Sequence, residues 1–370
     1  MSLRTAHLVG SLPFADEETA MRLALDTLGP RLATLPDPEI GRKTDLHPKG
    51  ERLGWVQWII ERFEGNPAFE MTKVPRYDDA SGRWVDYRST ARFRVDVPPL
   101  ELRRHLDFGL VDYFEQSYAI FRRLRDEYGL SDLRFQFGIP GSLALALFSV
   151  GPWQALRYRQ AFDDQLVEEC NRICNLAGGD VVLQLELPVE LGVVLQTPRP
   201  LRRLAARITA GWVARFVGRL LPQARLGVHL CFGDLDNRAY SHADSTEPLV
   251  VFFKELLRAW PPRRFLDYIH IPLAMANEAP PLDEAFYRPL RMLCVPDETR
   301  IIAGMVHEAW DDEDHWNILA MVEENLRRPV GVAASCGLGR RTPEVATALM
   351  QRTARLAGLE RRGEKIAAVG

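Results

Sequence analysis

The sequence predicts an α/β fold, a single (β/α)8 TIM barrel, on three observations. Short β-rich runs recur eight times along the 370 residues. They are dense in Val, Ile, Leu and Phe and poor in charge, the pattern of parallel strands covered on both faces. Stretches with apolar residues three and four apart, the helical period, lie between them. Strands and helices alternating in this way form a parallel sheet with helices packed outside it.

In chain order, strands are expected at 6–10 (AHLVG), 32–37 (LATLPD), 133–138 (LRFQFG), 181–186 (VVLQLE), 225–231 (RLGVHLC), 265–271 (FLDYIHI), 300–306 (RIIAGMV) and 330–336 (VGVAASC). Helices are expected over 16–29, 50–63, 110–129, 151–178, 199–223, 246–260, 311–328 and 342–358. Several of these open near Asp, Ser or Thr and close at Gly or Pro, as capped helices do. The rhythm breaks once. Residues 67–98 read as a β-hairpin around Asp79-Ala80-Ser81-Gly82, inserted between strands two and three where it can fold over a barrel mouth. No second repeat, low-complexity tract or linker divides the chain. Residues 1–360 are therefore read as one barrel, with 361–370 as a C-terminal tail.

Composition narrows the function classes. With 46% hydrophobic and 26% charged residues, the chain is globular and neither disordered nor fibrous. Its formal charge of −3 offers nothing to attract nucleic acid or an anionic membrane. The first residues, MSLRTAHLVGSLPF, are too short and polar for a signal-peptide core. No apolar run reaches the roughly 18 residues of a spanning helix. A cytoplasmic protein is expected. Its five cysteines (170, 174, 231, 294, 336) are odd in number and widely spread, so a disulfide framework is not expected. A cysteine with a function here would act as a thiolate.

In such barrels the functional groups sit at the C-terminal ends of the strands. The eight ends read Gly10-Ser11, Pro36-Asp37, Gly138-Ile139-Pro140, Glu186-Leu187-Pro188, His229-Leu230-Cys231, His270-Ile271-Pro272, His307-Glu308 and Ser335-Cys336-Gly337. Five of the eight carry a Glu, His or Cys, which concentrates metal-ligating and proton-moving chemistry at one mouth.

His229 and Cys231 are two residues apart, a spacing that puts both side chains on one face of a strand. Together with Cys336, from the Gly-flanked turn SCGLGRR, they make an imidazole-and-two-thiolate set suited to zinc. Buried cysteine is also ordinary packing, and both readings stand at this level. His270 is a candidate fourth ligand or a core histidine. His307 and Glu308 can give or take a proton, or line a solvated rim; HEAWD has Asp311 where a metalloprotease helix has its second histidine. Glu186 can hold a substrate ammonium group or pair with an arginine. Gly10 and Ser11 can hold a carboxylate or form a plain turn. Cys170 and Cys174, one helical turn apart, read as packing. GLGRRT lacks the third glycine of a dinucleotide loop, and neither a phosphate loop nor a Gly-x-Ser-x-Gly elbow is present.

The order VGSLP, QLELP, VHLCFGD and ASCGLGRR resembles the C-terminal catalytic barrel of cobalamin-independent methionine synthase, within the uroporphyrinogen decarboxylase-like group. The resemblance runs along nearly the whole chain. It implies zinc held by His229, Cys231 and Cys336, and a thiol substrate activated as its thiolate. It implies that Gly10 and Ser11 bind an amino-acid carboxylate and that Glu186 contacts its amino group. The family's glutamate ligand falls where this chain has Pro272, in IHIPLA. Three arrangements remain: His270 or another group completes the site, the metal keeps an open position, or zinc is lost. The family's N-terminal half has no counterpart in this sequence, which leaves the methyl donor undefined.

The leading expectation is a zinc-dependent methyl or alkyl transferase acting on a homocysteine-like thiol. Its partners would be that small-molecule thiol and an unspecified alkyl donor, with no nucleic acid and no membrane; a homodimer is one assembly this reading allows. The rival enzyme reading is a metal-free, uroporphyrinogen decarboxylase-like lyase using Arg340 and Arg341 on an acid. The rival outside catalysis is a degenerate barrel serving as an accessory subunit.

Overall fold

A computed structural model describes residues 4–40, 59–60, 62–77, 89–234 and 237–358. Seven strands form one parallel sheet in the order β1 (Thr34–Pro36), β4 (Arg134–Pro140), β5 (Val181–Glu186), β6 (Arg225–His229), β7 (Phe265–Pro272), β8 (Arg300–Val306) and β9 (Gly331–Ala334). Every neighbouring pair is parallel. The helices α1 (Glu17–Leu28), α2 (Leu110–Glu127), α3 (Ser142–Ala177), α4 (Pro188–Gln196), α5 (Arg199–Arg219), α6 (Glu247–Ala259), α7 (Asp312–Leu326) and α8 (Pro343–Gly358) connect them. Caps set the starts that sequence indicated: Asp16 accepts from Thr19 N ahead of α1, and Asp311 from Asp314 N ahead of α7.

The hairpin expected in 67–98 is present as β2 (Phe69–Lys73) paired antiparallel with β3 (Arg92–Val95). Its expected tip at Asp79–Gly82 lies outside the described residues, as do the tail and most of the helix expected over 50–63. Several helical segments among the described residues escaped the sequence reading, the short turns Pro99–Leu102 and Glu284–Tyr287 among them. Helix α3 begins at Ser142, ahead of a break at Gly151 (φ 75°) and Pro152. Helix α4 follows Glu186 within two residues. Apolar, unbroken SLALALFSV carries no polar face to mark its period.

The strand expected at 6–10 is reduced to one residue. Ala6 bridges Leu32 on one side and Val332 on the other, both in parallel, and so joins the two edges of the sheet. Beyond it the chain leaves the ladder because side chains take its carbonyls. Gln136 Nε2 donates to Leu8 O (2.9 Å) and Val9 O (2.8 Å), and Gln184 Nε2 donates to Val9 O (2.7 Å).

Side chains fill the inside of the curl in layers. Val182, Tyr268, Ile302 and Ala333 form a small apolar cluster of their own. Next comes a buried polar layer in which Thr34 donates to Gln136, and both Gln136 Nε2 and the Tyr268 hydroxyl donate to Gln184 Oε1. Glu186, His229 and His270 lie at the strand ends above it. Gly227 is the residue that admits Tyr268, since a methyl there would run into the phenol ring. No helix among the described residues is long and apolar enough to cross a membrane.

Replacing Gln184 with Leu should therefore leave the Val9 carbonyl with fewer partners and the Tyr268 hydroxyl with none, costing ~1–3 kcal/mol. Urea denaturation measures the loss; an unchanged midpoint would mean that the N-terminal segment is held by other contacts.

Candidate metal centre

His229 is the last residue of β6, and Cys231 lies two residues beyond it. Cys336 lies two residues beyond the end of β9. The three ligand atoms lie within 4.8 Å of one another, although 105 residues separate the cysteines in sequence. The two Sγ atoms are 3.6 Å apart. Thiolates bound 2.3 Å from a tetrahedral zinc lie about 3.8 Å apart, so the spacing suits the metal.

The electrostatics fit as well. The adjacent Cys231 thiol, then burial, push the Cys336 thiol well above its ordinary range. Two neighbouring thiols cannot both ionise without a counter-charge, and a divalent cation supplies it. Burial also holds the imidazole of His229 well below its usual pKa, so the ring is neutral, as a ligand must be. Its Nε2 is buried without a hydrogen-bond partner.

His270, a candidate ligand by sequence, stands outside this group. Its Nδ1 lies 2.9 Å from His229 Nδ1 and its Nε2 lies 3.0 Å from the Ala334 carbonyl oxygen. Both ring nitrogens are thereby engaged, and burial pushes its pKa down to about 4. A third buried imidazole, His7, packs edge-on against Tyr268.

Ion pairs tie down the loops that carry the thiols. Arg340 lies 3.9 Å from the buried Asp234, joining the loop after Cys336 to the loop after Cys231. Arg341 donates to Glu308 at 3.0 and 3.1 Å and to the Ala276 carbonyl. Ala276 itself sits in the left-handed region (φ 57°). His307 Nε2 donates to that same carbonyl, and its Nδ1 accepts from Ala309 N. His307 and Glu308 thus brace the turn after β8, and neither joins the three-ligand cluster.

Of the candidate substrate residues, Ser11 meets the residue after Cys336, while Glu186 and Gly10 meet Glu39. A methyl added to Gly337, next to Cys336, would collide with Ser11 Oγ. One added to Gly138 would stand 2.8 Å from Glu186 Oε1 and 3.0 Å from Glu39 Oε1, and Gly10 faces the same Glu39 carboxylate. Sequence reasoning missed Glu39. Its signal was the strand end Pro36-Asp37, which was read two residues short, and its positive φ of 43° marks an unusual turn. Cys170 and Cys174 are buried on α3, and burial pushes the Cys174 thiol up to about 11.

No family model matches the sequence, and a search among curated proteins gives no match. Among solved structures, the chain is similar to a B12-independent methionine synthase from Shewanella sp. W3-18-1 in complex with selenomethionine. The TM-score is 0.55 at 12% identity, over 95% of this chain and 96% of that one. A methyltransferase from Methanosarcina mazei aligns over 96% and 94% of the two chains, at TM-score 0.46 and 13% identity. The likeness to the Shewanella protein is one of fold.

The buried imidazoles give the metal-free protein a pH dependence. As pH falls through about 6.5, the unfolded chain takes up protons on His229 and His270, whereas folded His270 takes one up only near 4. Stability is therefore full above that window and declines as pH falls through it. Urea midpoints measured across the window should show the decline, and His270→Phe should flatten it. A variant profile as steep as the wild type's would assign the dependence to other groups.

Proposed function

We propose that this barrel is a zinc-dependent alkyl transferase that uses a small-molecule thiol as its nucleophile. The observation carrying the proposal is the His229, Cys231 and Cys336 cluster, with its thiols 3.6 Å apart. A zinc ion held by those residues would lower the pKa of a substrate thiol so that it reacts as thiolate near neutral pH.

The chain's own residues supply binding and orientation. Ser11, against Gly337, and the backbone at Gly10 would hold an amino-acid carboxylate. Glu186 and Glu39, meeting over Gly138, provide negative charge for its ammonium group. Such a pocket suits a homocysteine-like thiol. The selenomethionine held by the Shewanella protein, a methylated chalcogen on an α-amino acid, belongs to the same chemical class as the product.

A metal-free, decarboxylase-like site would need cations for an acidic substrate. Arg340 and Arg341, its best candidates, face Asp234 and Glu308 instead. That pairing favours the thiol reading.

Protein purified without oxygen should carry about one zinc per chain by elemental analysis. Cys336→Ser should lose most of it, and a homocysteine-like thiol should perturb the charge-transfer spectrum of the cobalt-substituted protein. Wild-type protein that retains no metal and takes up none would sink the proposal.

A further inference from the structure

We infer that His270 is a positioning residue for the ligand His229: it fixes the neighbouring ring as the Nδ1–H tautomer and leaves Nε2 bare for the metal. The inference rests on the metal-binding reading above and assigns His270 to the support of a ligand.

The argument is a count of protons. The Ala334 carbonyl oxygen, 3.0 Å from His270 Nε2, can only accept, so Nε2 of His270 carries a proton and donates it. A neutral imidazole with a proton on Nε2 has none on Nδ1. That bare Nδ1 lies 2.9 Å from Nδ1 of His229, a hydrogen-bond distance. Two bare nitrogens would repel there, so the shared proton belongs to His229. His229 is then protonated on Nδ1 and unprotonated on Nε2, the buried atom that has no hydrogen-bond partner. Leaving such an atom desolvated is costly unless a cation meets it. A ligating histidine whose other nitrogen donates to a fixed acceptor is the usual device for setting ring orientation and basicity. Here a second imidazole takes the acceptor's place.

An independent feature points the same way. Gly304, on β8, is the neighbour that makes room for the His270 ring: an added methyl would stand 2.5 Å from Cε1 and 2.6 Å from Nε2. The same methyl would be 3.0 Å from the Ser335 Cα, so backbone leaves it little room to move aside. The relay also has a rigid end. Ala334 lies on β9, two residues ahead of Cys336, so one chain of hydrogen bonds links β6, β7 and the strand leading to the second thiolate.

The first test uses metal-free wild-type protein labelled with 15N-histidine. Two-bond proton–nitrogen correlation spectra should show His229 as the Nδ1–H tautomer, and His270→Phe should lose that pattern. Finding His229 as Nε2–H in the wild type would overturn the relay. The second test measures Zn2+ and Co2+ affinity by chelator competition. His270→Phe and Gly304→Ala should each weaken binding by about 10–100-fold while the cobalt spectrum keeps its two-thiolate, one-imidazole character. A cobalt spectrum that loses an imidazole ligand in His270→Phe would make His270 a ligand and overturn the inference, as would unchanged affinity in both variants. Wild-type protein that binds neither metal overturns the metal site itself, while the tautomer measurement still decides the relay separately.

Discussion

Polar groups sealed inside a barrel must find partners there, and the amides of Gln136 and Gln184 meet that requirement for the N-terminal segment. By accepting a strand that pairs only at Ala6, the fold frees the carbonyls of Leu8 and Val9, and the two amides capture them. The same amides bond to each other, to Thr34 and to Tyr268, so the segment and the barrel interior form one network. The position of Gly10 and Ser11 follows from it. A regular strand over 6–10 would have carried these residues along the sheet; the captured segment sets them against Glu39 and Gly337.

Much of this was legible in the sequence, because alternation and strand ends are local signals. The runs at 181–186 and 300–306 match β5 and β8 residue for residue, and five other strands fall within a few residues of expectation. What the sequence could not supply was the partner of each group. AHLVG has strand composition, but its carbonyls go to side chains more than 120 residues away. Glu39 lies just past a strand end, and only the fold sets it opposite Glu186. His270 was legible as an inward-facing histidine on β7. Whether such a ring ligates a metal or supports a ligand depends on what each nitrogen meets, and only coordinates contain that.

The two cysteine pairs show how environment separates packing from chemistry. Cys170 and Cys174 lie on one helix, buried in the apolar core. Cys231 and Cys336 come from separate strands, meet at 3.6 Å and share their surroundings with a neutral imidazole. Their loops are joined by Asp234 and Arg340. Space-filling thiols need none of these features. Bringing two ionisable groups and a bare nitrogen together at one mouth raises the free energy of the empty arrangement, which a cation lowers.

The substitution of Pro272 for the glutamate of the resembled family bears on that balance. Pro272 ends β7 two residues beyond His270, buried and paired with Gly304, and by the resemblance this apolar ring stands where the family has an anion. On the proposed reading, two thiolates and a neutral imidazole cancel the charge of Zn2+, and an incoming thiolate meets a site of no net charge. A carboxylate as fourth ligand would make that site anionic. At 4 Å and an effective dielectric of 20, the repulsion between unit charges is ~4 kcal/mol, more than most single contacts in a binding pocket supply. A three-ligand set would therefore favour capture of an anionic sulfur. Were zinc held by these three residues alone, a fourth position would be left for substrate, as in catalytic zinc sites, whereas structural sites close it with protein. On that reading, a departure that looks in the sequence like a missing ligand would leave the site the charge to accept the nucleophile.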